Sequence, residues 1–522
     1  MRRIASWIDG KTDDASSDHT SPVFDPATGS VQADVALAGP AGVDAAVAAA
    51  KAASVRWGDT SIAARTKILF AFRELVASHA GELARIVSSE HGKTIPDAAG
   101  EVQRGLEVIE FACGLGQILK GDVNDQVSTG VDAVSFRQPV GVVVGITPFN
   151  FPVMVPCWMH PVAIACGNTF VLKPSERDPG ASELIAKLWQ QAGLPDGVFN
   201  VLQGDASVVQ QLLGHPDVDA VSFVGSTPIA RSVHEQASRT GKRVQALGGA
   251  KNHAVVAPDA DISFAAKHIT AAGYGSAGQR CMAISAVVAV GDVADGLVEE
   301  LRKLAEDVRV GPGSEASTDM GPVVTATSRD RIIGIIDTVT DEGATLVVDG
   351  RKVQVDGHED GFFVGPTLID HVRAGMRSYD EEIFGPVPHR HAGERHGRGD
   401  RGRERQPVRE RCRAVHLVGL CGKGIHPPRA RRHGRCERAH PGADGLPQLR
   451  RLEGFAVRRS PHPRRGRRAL LHARQGRHDP LAGTVDGKRR QRRVGLPLPD
   501  IQLTGLTARR AATGRRGSSP GR

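Results

Sequence analysis

Residues 140–247 alternate short apolar runs with amphipathic stretches, and this alternation constrains the fold more than any other feature of the chain. The apolar runs predict buried strands at 140–146, 169–172, 198–202, 220–224 and 244–247. Between them, residues 181–191, 207–213 and 228–237 carry apolar side chains at helical spacing. Strands that alternate with helices assemble into a parallel sheet with helices on its faces. The pattern therefore predicts an α/β domain built on a parallel sheet.

A second set of alternating elements follows Gly249. Strands are predicted at 253–256 and 286–290, and helices at 294–308, at 329–341 and from Asp261 onwards. Ahead of both sets, residues 43–113 carry apolar side chains at helical spacing, and residues 131–137 are predicted to be extended. A chain of 522 residues exceeds the size at which single cores stop growing. We therefore predict two α/β domains, with amphipathic helices before the first.

The chain divides near residue 387 into a net negative segment and a net positive one. Up to Val387 there are 32 Lys and Arg against 48 Asp and Glu, a net charge of −16, whereas residues 388–522 hold 35 against 10, a net charge of +25. The second part contains 33 arginines, two lysines and, apart from histidines, one aromatic residue, Phe455. Folded nucleic-acid-binding modules usually mix lysine with arginine and stack bases on aromatic side chains. Residues 388–522 are therefore predicted to form a basic tail without a normal core.

The cysteines and the apolar segments indicate the compartment. The seven cysteines show no paired CxxC spacing and are too sparse for a disulfide scaffold, so reduced thiols are expected. Polar and acidic residues follow the N-terminal Met1-Arg-Arg, where a signal peptide would carry an apolar core. The most apolar stretch, 140–166, is interrupted by Pro148, Pro152 and Pro156 and does not suit a membrane span. A cytoplasmic protein without a membrane partner is expected.

Cys281 and Asn150 are candidate catalytic residues. Cys281 lies three residues after Gly278, where the absence of a side chain lets a substrate approach the backbone. A lone cysteine is nevertheless more often a buried structural residue than a nucleophile. Asn150 follows the predicted strand 140–146, at the end where open α/β sheets bind ligands, and its amide is placed to donate to an oxyanion. The plainer interpretation of Asn150 is a turn.

Two further segments are candidates for a cofactor site. Lys173 and Glu176 follow the next predicted strand, although a solvated charged turn is the commoner role for such a sequence. Residues 223–230 combine a strand end, the small turn residues Gly225 and Ser226, and a helix that begins with Pro228. Such a helix start presents amide hydrogens to a pyrophosphate. The segment lacks the GxGxxG pattern, so the signal is weak on its own.

The order and spacing of these segments closely resemble the aldehyde dehydrogenase superfamily. The resemblance covers residues 5–387 and is carried by Asp25-Pro-Ala-Thr-Gly29, Asn150, Lys173, Gly225-Ser226, Leu247-Gly-Gly249, Cys281 and Glu381-Glu-Ile-Phe-Gly-Pro386. Residues 156–177 and 245–253 look specifically like the CoA-acylating, methylmalonate-semialdehyde branch of that family. The resemblance implies a part in valine and inositol catabolism.

The resemblance also implies an α/β aldehyde dehydrogenase fold. A Rossmann-like NAD-binding domain would comprise residues 1–125 and 140–249, a β-hairpin oligomerisation arm 126–139, and a catalytic domain 250–387 that is incomplete. Members of the family are homo-oligomers, so a tetramer is expected, with the tail 388–522 putting that assembly in doubt. No nucleic-acid partner is expected.

Family roles follow from the matching positions. Cys281 would be the nucleophile, with the Asn150 side chain and the Cys281 amide holding the oxyanion. Lys173 and Glu176 would bind the adenosine ribose of NAD, Ser226 the phosphates, and Glu382 the nicotinamide ribose. The remaining cofactor-binding positions that the resemblance implies are Thr147, Phe149, Arg177 and Gly248. No metal is expected.

The resemblance further implies CoA as the acyl acceptor. Hydrolytic members carry a water-activating glutamate two residues before the glycine pair, where this chain has Ala246. A CoA thiol needs that base far less than water does. Ala250, an additional residue before Lys251, leaves the local alignment open. The substrate would carry a carboxylate, for which Arg280 and Arg104 are candidate partners, although each is otherwise a surface arginine.

The family sequence does not continue after Val387. When residues 470–482 are back-translated with chosen codons and shifted by one base, they yield Phe-Tyr-Thr-Arg-Gly-Lys-Val-Val-Thr-Thr-Arg-Trp, which resembles the C-terminal end of the family. We therefore predict a change of reading frame near codon 388, which would leave this exact chain with little or no activity. Two alternatives stay open: a hydrolytic aldehyde dehydrogenase that releases a free acid, and, least favoured, a nucleic-acid-binding protein that uses the basic tail.

Overall fold

The computed structural model of the chain describes residues 1–14 and 19–391, together with the backbone of the short strands 418–419 and 472–474. All of these residues belong to one compact unit, Met1–Gln475. The predicted basic tail therefore lies outside the described residues, apart from residues 388–391 and the two short strands. None of the helices in the described part combines the length and the apolar content needed to cross a membrane.

The helices of the described residues are α1 Pro40–Asp59, α2 Ile62–Ser78, α3 Ala80–His91, α4 Ile95–Cys113, α5 Met154–Ala165, α6 Gly180–Gln191, α7 Ala206–Gly214, α8 Thr227–Arg239, α9 Ile262–Tyr274, α10 Ala294–Glu306, α11 Ala326–Ile336 and α12 Arg377–Asp380.

The strands of the described residues are β1 Arg2–Ile4, β2 Ser6–Ile8, β3 Lys11–Asp13, β4 His19–Phe24, β5 Val31–Leu37, β6 Val123–Ser128, β7 Val131–Val134, β8 Arg137–Pro139, β9 Val142–Ile146, β10 Thr169–Lys173, β11 Phe199–Val201, β12 Ala220–Val224, β13 Arg243–Leu247, β14 Asn252–Val256, β15 Ile284–Ala289, β16 Thr345–Val348, β17 Leu368–Val372, β18 His389–His391, β19 Val418–Gly419 and β20 His472–Arg474.

The predicted parallel sheet is present. Seven strands follow the order β13-β12-β9-β10-β11-β2-β3, and the first five are mutually parallel. β9 and β10 are buried at every residue, because helices cover both faces of the sheet. The predicted α/β architecture, built on a parallel sheet, is confirmed.

Helix α4 forms one wall of the site described below. It begins after Thr94, whose hydroxyl accepts a hydrogen bond from the Asp97 amide at 3.3 Å, and Pro96 follows in its first turn. Its apolar face packs against α5, and a Cβ at Gly105 would lie only 3.4 Å from the Cys157 Cβ. The small residue thus lets the two helices approach closely.

The second sheet has six strands in the order β16-β17-β18-β15-β14-β19. β18 begins two residues after Val387, so the sheet continues beyond the predicted boundary of the catalytic domain. His389 is fully buried there, and both of its ring nitrogens lack a hydrogen-bond partner within the described residues. Arg390 is also buried and pairs with Asp370. Backbone pairing accepts any side chain in an extended strand, whereas an unsatisfied buried imidazole is unfavourable.

Two predicted elements differ from the structure. The helix predicted at 329–341 is α11, which begins at Ala326, where the Thr325 hydroxyl caps it, and ends at Ile336. Beyond its end the Thr338 hydroxyl donates to the Ile335 carbonyl, a local bond that competes with helix continuation. The segment 131–137 is divided into β7 and β8, and β7 pairs with β6 in an exposed hairpin. The limits of the domains and of the arm remain predictions.

Candidate active site

The carboxyl ends of the parallel strands meet at one edge of the seven-stranded sheet. Ile146 pairs with Lys173 across β9 and β10, and Val224 pairs with Leu247 across β12 and β13. The residues that follow these ends therefore share an edge, where open α/β sheets bind their ligands. Four predicted cofactor-binding residues lie at or just beyond it: Thr147, Lys173, Ser226 and Gly248.

Polar groups at this edge fit a dinucleotide. The Lys173 ammonium and the Glu176 carboxylate are 2.9 Å apart. Ser226 is the N-cap of α8, and its side chain makes no capping hydrogen bond, so the first amides of the helix remain available to an anion. The buried Thr147 hydroxyl has no hydrogen-bond partner within the described residues. Such an orphaned donor is what a bound polar ligand would satisfy.

Phe149 connects the two parts of the site. Its ring lies 5.1 Å from the Arg177 guanidinium carbon and 5.8 Å from the ring of Phe384, which it meets edge to face. Phe384 belongs to the segment that carries Glu382. The strand-edge segment and the Glu382 segment therefore line one cleft.

Glu382 is held against the glycine pair. A Cβ at Gly249 would lie 1.8 Å from a Glu382 carboxylate oxygen, so a side chain there would displace the carboxylate from its present position. Burial raises the pKa of Glu382, and the Ala250 amide and Lys251 oppose that rise. Lys251 also donates to the Ser378 and Glu381 carbonyls at 2.7 Å each. Ala250 and Lys251 thus position Glu382, a role that sequence reasoning did not predict.

Cys281 follows a strained turn between α9 and β15. Ser276 and Ala277 have φ of 54° and 51°, in the left-handed region that side chains rarely adopt, and Gly278 has a φ of 68°. On the other side of Cys281, the Asn252 side-chain amide donates hydrogen bonds to the Cys281 and Ala283 backbone carbonyls at 2.9 Å each. These bonds fix the backbone at and after Cys281. Asn252 follows the glycine pair by three residues, and sequence reasoning missed its role.

The electrostatic surroundings of Cys281 favour the neutral thiol. Burial raises its pKa to about 11, and the nearby Glu382 carboxylate adds to the rise. Arg104 acts in the opposite direction, which places this predicted substrate-binding arginine within electrostatic reach of the sulfur. Cys281 is nevertheless partly exposed, whereas Cys113, Cys157 and Cys166 are buried. Cys281 is therefore the accessible thiol among the four cysteines of the described residues.

Alkylation of Cys281 by iodoacetamide is expected to depend steeply on pH. Because its pKa is raised to about 11, the reactive thiolate is scarce at neutral pH, and the rate should rise about tenfold per pH unit between pH 7 and 9. Mass spectrometry of the Cys281 peptide measures the rate. Glu382→Gln removes a negative charge beside the thiol and should move the profile to lower pH. A wild-type profile that levels off below pH 8 would contradict this environment.

Asn150 is fixed by a buried ion pair that sequence reasoning did not predict. Lys93 donates to the Asn150 carbonyl at 2.7 Å and pairs with Glu101, also at 2.7 Å. The other Glu101 oxygen accepts from the Val153 and Met154 amides at 2.8 and 3.1 Å. Lys93 and Glu101 are 1% and 0% exposed. The pair therefore anchors both ends of the loop that carries Asn150, while the role of the Asn150 side chain stays a prediction.

Arg280 precedes Cys281 in the sequence, and its side chain already has a partner. Its Nη2 donates to the Asp97 Oδ1 at 2.5 Å, and the second Asp97 oxygen accepts from the Ser276 amide at 2.9 Å. Arg280 also lines a small cleft together with Gly278, Glu382 and Phe384. The structure thus brings Cys281, Arg104, Arg280 and Glu382 together, and adds Asp97 to the predicted set.

Comparison with known proteins identifies the protein family. Residues 12–389 match the sequence model of the Aldehyde dehydrogenase family, so the chain belongs to that family. The match ends at residue 389, two residues after the boundary between the net negative and the net positive part of the chain.

The relatives narrow the comparison further. The malonate-semialdehyde dehydrogenase of Pseudomonas aeruginosa is 51% identical over 374 residues, which cover 72% of this chain and 75% of the relative. A Rattus norvegicus protein described as methylmalonate-semialdehyde/malonate-semialdehyde dehydrogenase, acylating and mitochondrial, is 45% identical over 384 residues, which cover 74% of this chain and 72% of that protein.

Solved structures show the same likeness. The methylmalonate-semialdehyde dehydrogenase of Oceanimonas doudoroffii has a TM-score of 0.74 and 50% identity, covering 76% of this chain and 81% of that one. A candidate methylmalonate-semialdehyde dehydrogenase of Sinorhizobium meliloti, complexed with NAD, has a TM-score of 0.74 and 49% identity, covering 75% of this chain and 81% of that one.

Proposed function

We propose that this protein oxidises malonate semialdehyde and methylmalonate semialdehyde with NAD and CoA, forming acetyl-CoA or propionyl-CoA, CO₂ and NADH. The observation that carries the proposal is the accessible Cys281 thiol with Arg104 within electrostatic reach and Arg280 as its neighbour. Guanidinium groups suit a substrate that carries a carboxylate as well as an aldehyde. The names of the relatives, at 45–51% identity, support the same substrates.

In the first step, the Cys281 sulfur adds to the aldehyde carbon, and the thiol proton is lost to solvent. The carbonyl electron pair moves onto oxygen, where the Asn150 amide and the Cys281 backbone N–H are the proposed donors. Collapse of that oxyanion expels the aldehyde hydrogen as hydride and leaves an acyl thioester on Cys281. A raised thiol pKa of about 11 means that this addition needs the thiolate to be stabilised, and Arg104 is placed to contribute.

NAD, when bound, accepts the hydride. The residues at the sheet edge fit this cofactor: the start of α8 can bind its phosphates, and the Lys173 and Glu176 pair can bind a ribose. A carboxylate at that ribose favours NAD, because the additional phosphate of NADP would be repelled. Thr147, Phe149, Arg177, Gly248 and Glu382 complete the proposed cofactor site. The NAD complex of the Sinorhizobium meliloti relative supports this assignment.

The acyl group is then transferred to CoA. The CoA sulfur adds to the thioester carbonyl and Cys281 leaves as thiolate, so no water-activating base is required, in agreement with Ala246. The substrate carboxylate is β to the thioester carbonyl and can leave as CO₂. Its bonding electrons form an enolate that takes a proton from water. The carboxylate is therefore first a binding group and then a leaving group.

Formation of NADH is expected to require CoA. With malonate semialdehyde and NAD, omission of CoA should limit the reaction to about one NADH per active site, because the thioester persists. Absorbance at the NADH band, read with and without CoA, measures the requirement. Desulfo-CoA, which lacks the thiol, is the matched control and should behave like omission. Equal steady-state rates with and without CoA would favour the alternative, a hydrolytic enzyme that releases a free acid.

We further propose that the protein self-associates through the β6–β7 hairpin. Its described side chains are exposed throughout, including Val123, Val127 and Val131 at 71%, 51% and 51%. Exposed apolar side chains on a hairpin are unfavourable unless a partner covers them. The native mass in solution tests this self-association, and a monomeric mass would argue against it.

We also propose a cytoplasmic location, because the four cysteines of the described residues are free thiols. Cell fractionation tests this location.

We also propose that residues after Val387 come from another reading frame. The family match ends at residue 389, and the buried His389 has no hydrogen-bond partner within the described residues. Sequencing codons 380 to 395 tests the proposal, and a single in-frame sequence would refute it. If the altered tail is the natural product, the 522-residue chain is expected to form little NADH, since the family completes its substrate pocket with the missing residues.

A further inference from the structure

Asp97 binds the nucleophile loop at two points. One carboxylate oxygen accepts from the Ser276 amide at 2.9 Å and the other from the Arg280 guanidinium at 2.5 Å. Ser276 and Arg280 lie on either side of the turn that precedes Cys281, more than 170 residues away from Asp97 in sequence. A single carboxylate on α4 therefore spans the whole turn.

The turn needs such an anchor. Ser276 and Ala277 both have left-handed backbone conformations, which are unfavourable for L-residues because Cβ crowds the following carbonyl oxygen. Gly278 permits no side chain, because a Cβ there would lie 2.0 Å from the Gly385 carbonyl oxygen. The strained conformation persists only when its surroundings hold it. The bond from the Ser276 amide to Asp97 holds the first strained residue.

The same carboxylate sets the direction of Arg280. The guanidinium lies over Gly275, where a Cβ would come within 2.5 Å of its Nη1. The Arg280 side chain is 17% exposed and the Asp97 side chain 25%, so this ion pair is largely shielded from water. Within the described residues only Nη2 of Arg280 has a hydrogen-bond acceptor. A guanidinium has five N–H donors, so the remaining ones stay available to a second carboxylate.

Arg104 completes the arrangement. It lies seven residues after Asp97 on α4, two helical turns further along the same face. Arg104 acts electrostatically on the Cys281 thiol. Arg104 and the Asp97–Arg280 pair thus border the loop that carries Cys281, with the Glu382 carboxylate as a further charge acting on the thiol.

We propose that Asp97 is a positioning residue that makes the enzyme select aldehydes carrying a carboxylate. It holds the Arg280 guanidinium over Gly275, within the loop that carries Cys281, so that the free N–H groups of the guanidinium face the incoming carboxylate. This inference rests on the proposed function, in which Arg280 binds the substrate carboxylate. Asp97 itself does not contact the substrate.

A competing role for Asp97 has the opposite consequence. If the carboxylate only neutralised Arg280, its removal would strengthen the attraction of the site for anions, because one negative charge would be lost near two positive ones. If it positions Arg280, its removal weakens selection of a carboxylate, since a mobile guanidinium no longer meets the ligand in a fixed geometry. The sign of the change therefore separates the two roles.

Two alkylating reagents provide the test on the chain as it exists. Iodoacetate carries a carboxylate next to its reacting carbon and iodoacetamide is its neutral counterpart, so the ratio of their rate constants at Cys281 measures carboxylate selection. Both reagents attack the same thiolate, so a change in thiol pKa cancels in the ratio. Mass spectrometry of the Cys281 peptide gives both rates, and neither depends on turnover.

Asp97→Asn keeps the shape of the side chain and is expected to lower the iodoacetate to iodoacetamide ratio about tenfold, the effect of one charge-assisted hydrogen bond. Arg280→Met should lower it at least as much. Glu107→Gln is the matched control, since it removes one carboxylate from an exposed position of the same helix, and its ratio should stay within about twofold of wild type. Asp97→Glu restores the charge and is expected to recover part of the selection.

Each outcome decides a different point. An unchanged or increased ratio in Asp97→Asn, with Arg280→Met lowered, overturns the positioning role but leaves the proposed carboxylate site intact. An unchanged ratio in Arg280→Met contradicts the carboxylate site itself. Thermal unfolding followed by tryptophan fluorescence checks that each variant is folded. If Asp97→Asn unfolds, Asp97→Glu alone carries the test, and a ratio equal to wild type despite a displaced guanidinium would refute the inference.

Discussion

Replacing Cys281 with serine is expected to abolish NADH formation, with a loss on the order of 10⁴- to 10⁶-fold in kcat, as for other enzymes that lose their nucleophile. Serine is close to cysteine in size, but its hydroxyl ionises far less readily and adds poorly to an aldehyde. The strained turn before residue 281 and the Asn252 bonds to its carbonyl should persist, since both involve the backbone. Steady-state NADH formation with malonate semialdehyde and CoA measures the loss, in the enzyme whose C-terminal residues follow the family's reading frame.

Cys113→Ala is the matched control for the thiol. Cys113 is buried at the end of α4, so substrate and alkylating reagents do not reach its thiol. This variant should retain the wild-type rate. A Cys281→Ser protein that keeps more than a tenth of the activity would refute the assignment of the nucleophile. Loss of the iodoacetamide adduct from the residue 281 peptide gives a second readout that needs no turnover.

Replacing Lys93 with methionine is expected to lower the free energy of unfolding by roughly 3–5 kcal/mol, the usual cost of removing one partner of a buried ion pair. Glu101 would then be a buried carboxylate without its cation, although two backbone amides still donate to it. Glu101→Gln should have a similar cost, because the Lys93 ammonium would lose its counter-charge. The Asn150 loop is expected to loosen in both variants, with a larger fall in kcat than rise in KM.

Urea unfolding followed by tryptophan fluorescence measures this cost. All four tryptophans of the chain lie in the core cluster that also contains α4 and α5, so the signal reports on the region of the ion pair. Arg73→Met is the control, since it removes an exposed ion pair between Arg73 on α2 and Glu110 on α4, and the midpoint should barely change. Costs that add fully in the Lys93→Met, Glu101→Gln double variant would show that the two residues are not coupled.

The substrate-side assignments depend on different observations from the cofactor-side ones. The register of β9, β10, β12 and β13 aligns the strand ends, so the NAD site follows from a geometric rule for open sheets. The proposed carboxylate site follows from Arg104, whose charge acts on the Cys281 thiol, and from the Asp97–Arg280 pair on the loop before it. The dependence of NADH formation on CoA tests the proposed reaction, whereas the iodoacetate to iodoacetamide ratio tests the proposed carboxylate site. Either proposal can therefore be refuted while the other stands.

Several features could be predicted from local sequence. The buried strands are continuous apolar runs, and Cys281 and Glu382 lie in distinctive segments. The change at residue 387 is visible in composition alone. Helix ends were less predictable: α11 stops at Ile336 because a local Thr338 hydrogen bond competes with the helix.

The sequence by itself determined the parallel sheet and was enough to propose Cys281 as the nucleophile, because the spacing of apolar residues and short motifs are local properties of the chain. Only the tertiary structure decided which charged residues serve that nucleophile. Lys93 and Glu101 resemble solvated helix charges until folding buries them together against the Asn150 loop. Asp97 finds Arg280 across 183 residues. The energy of a charge depends on its burial and its partner, and both are set by chain packing.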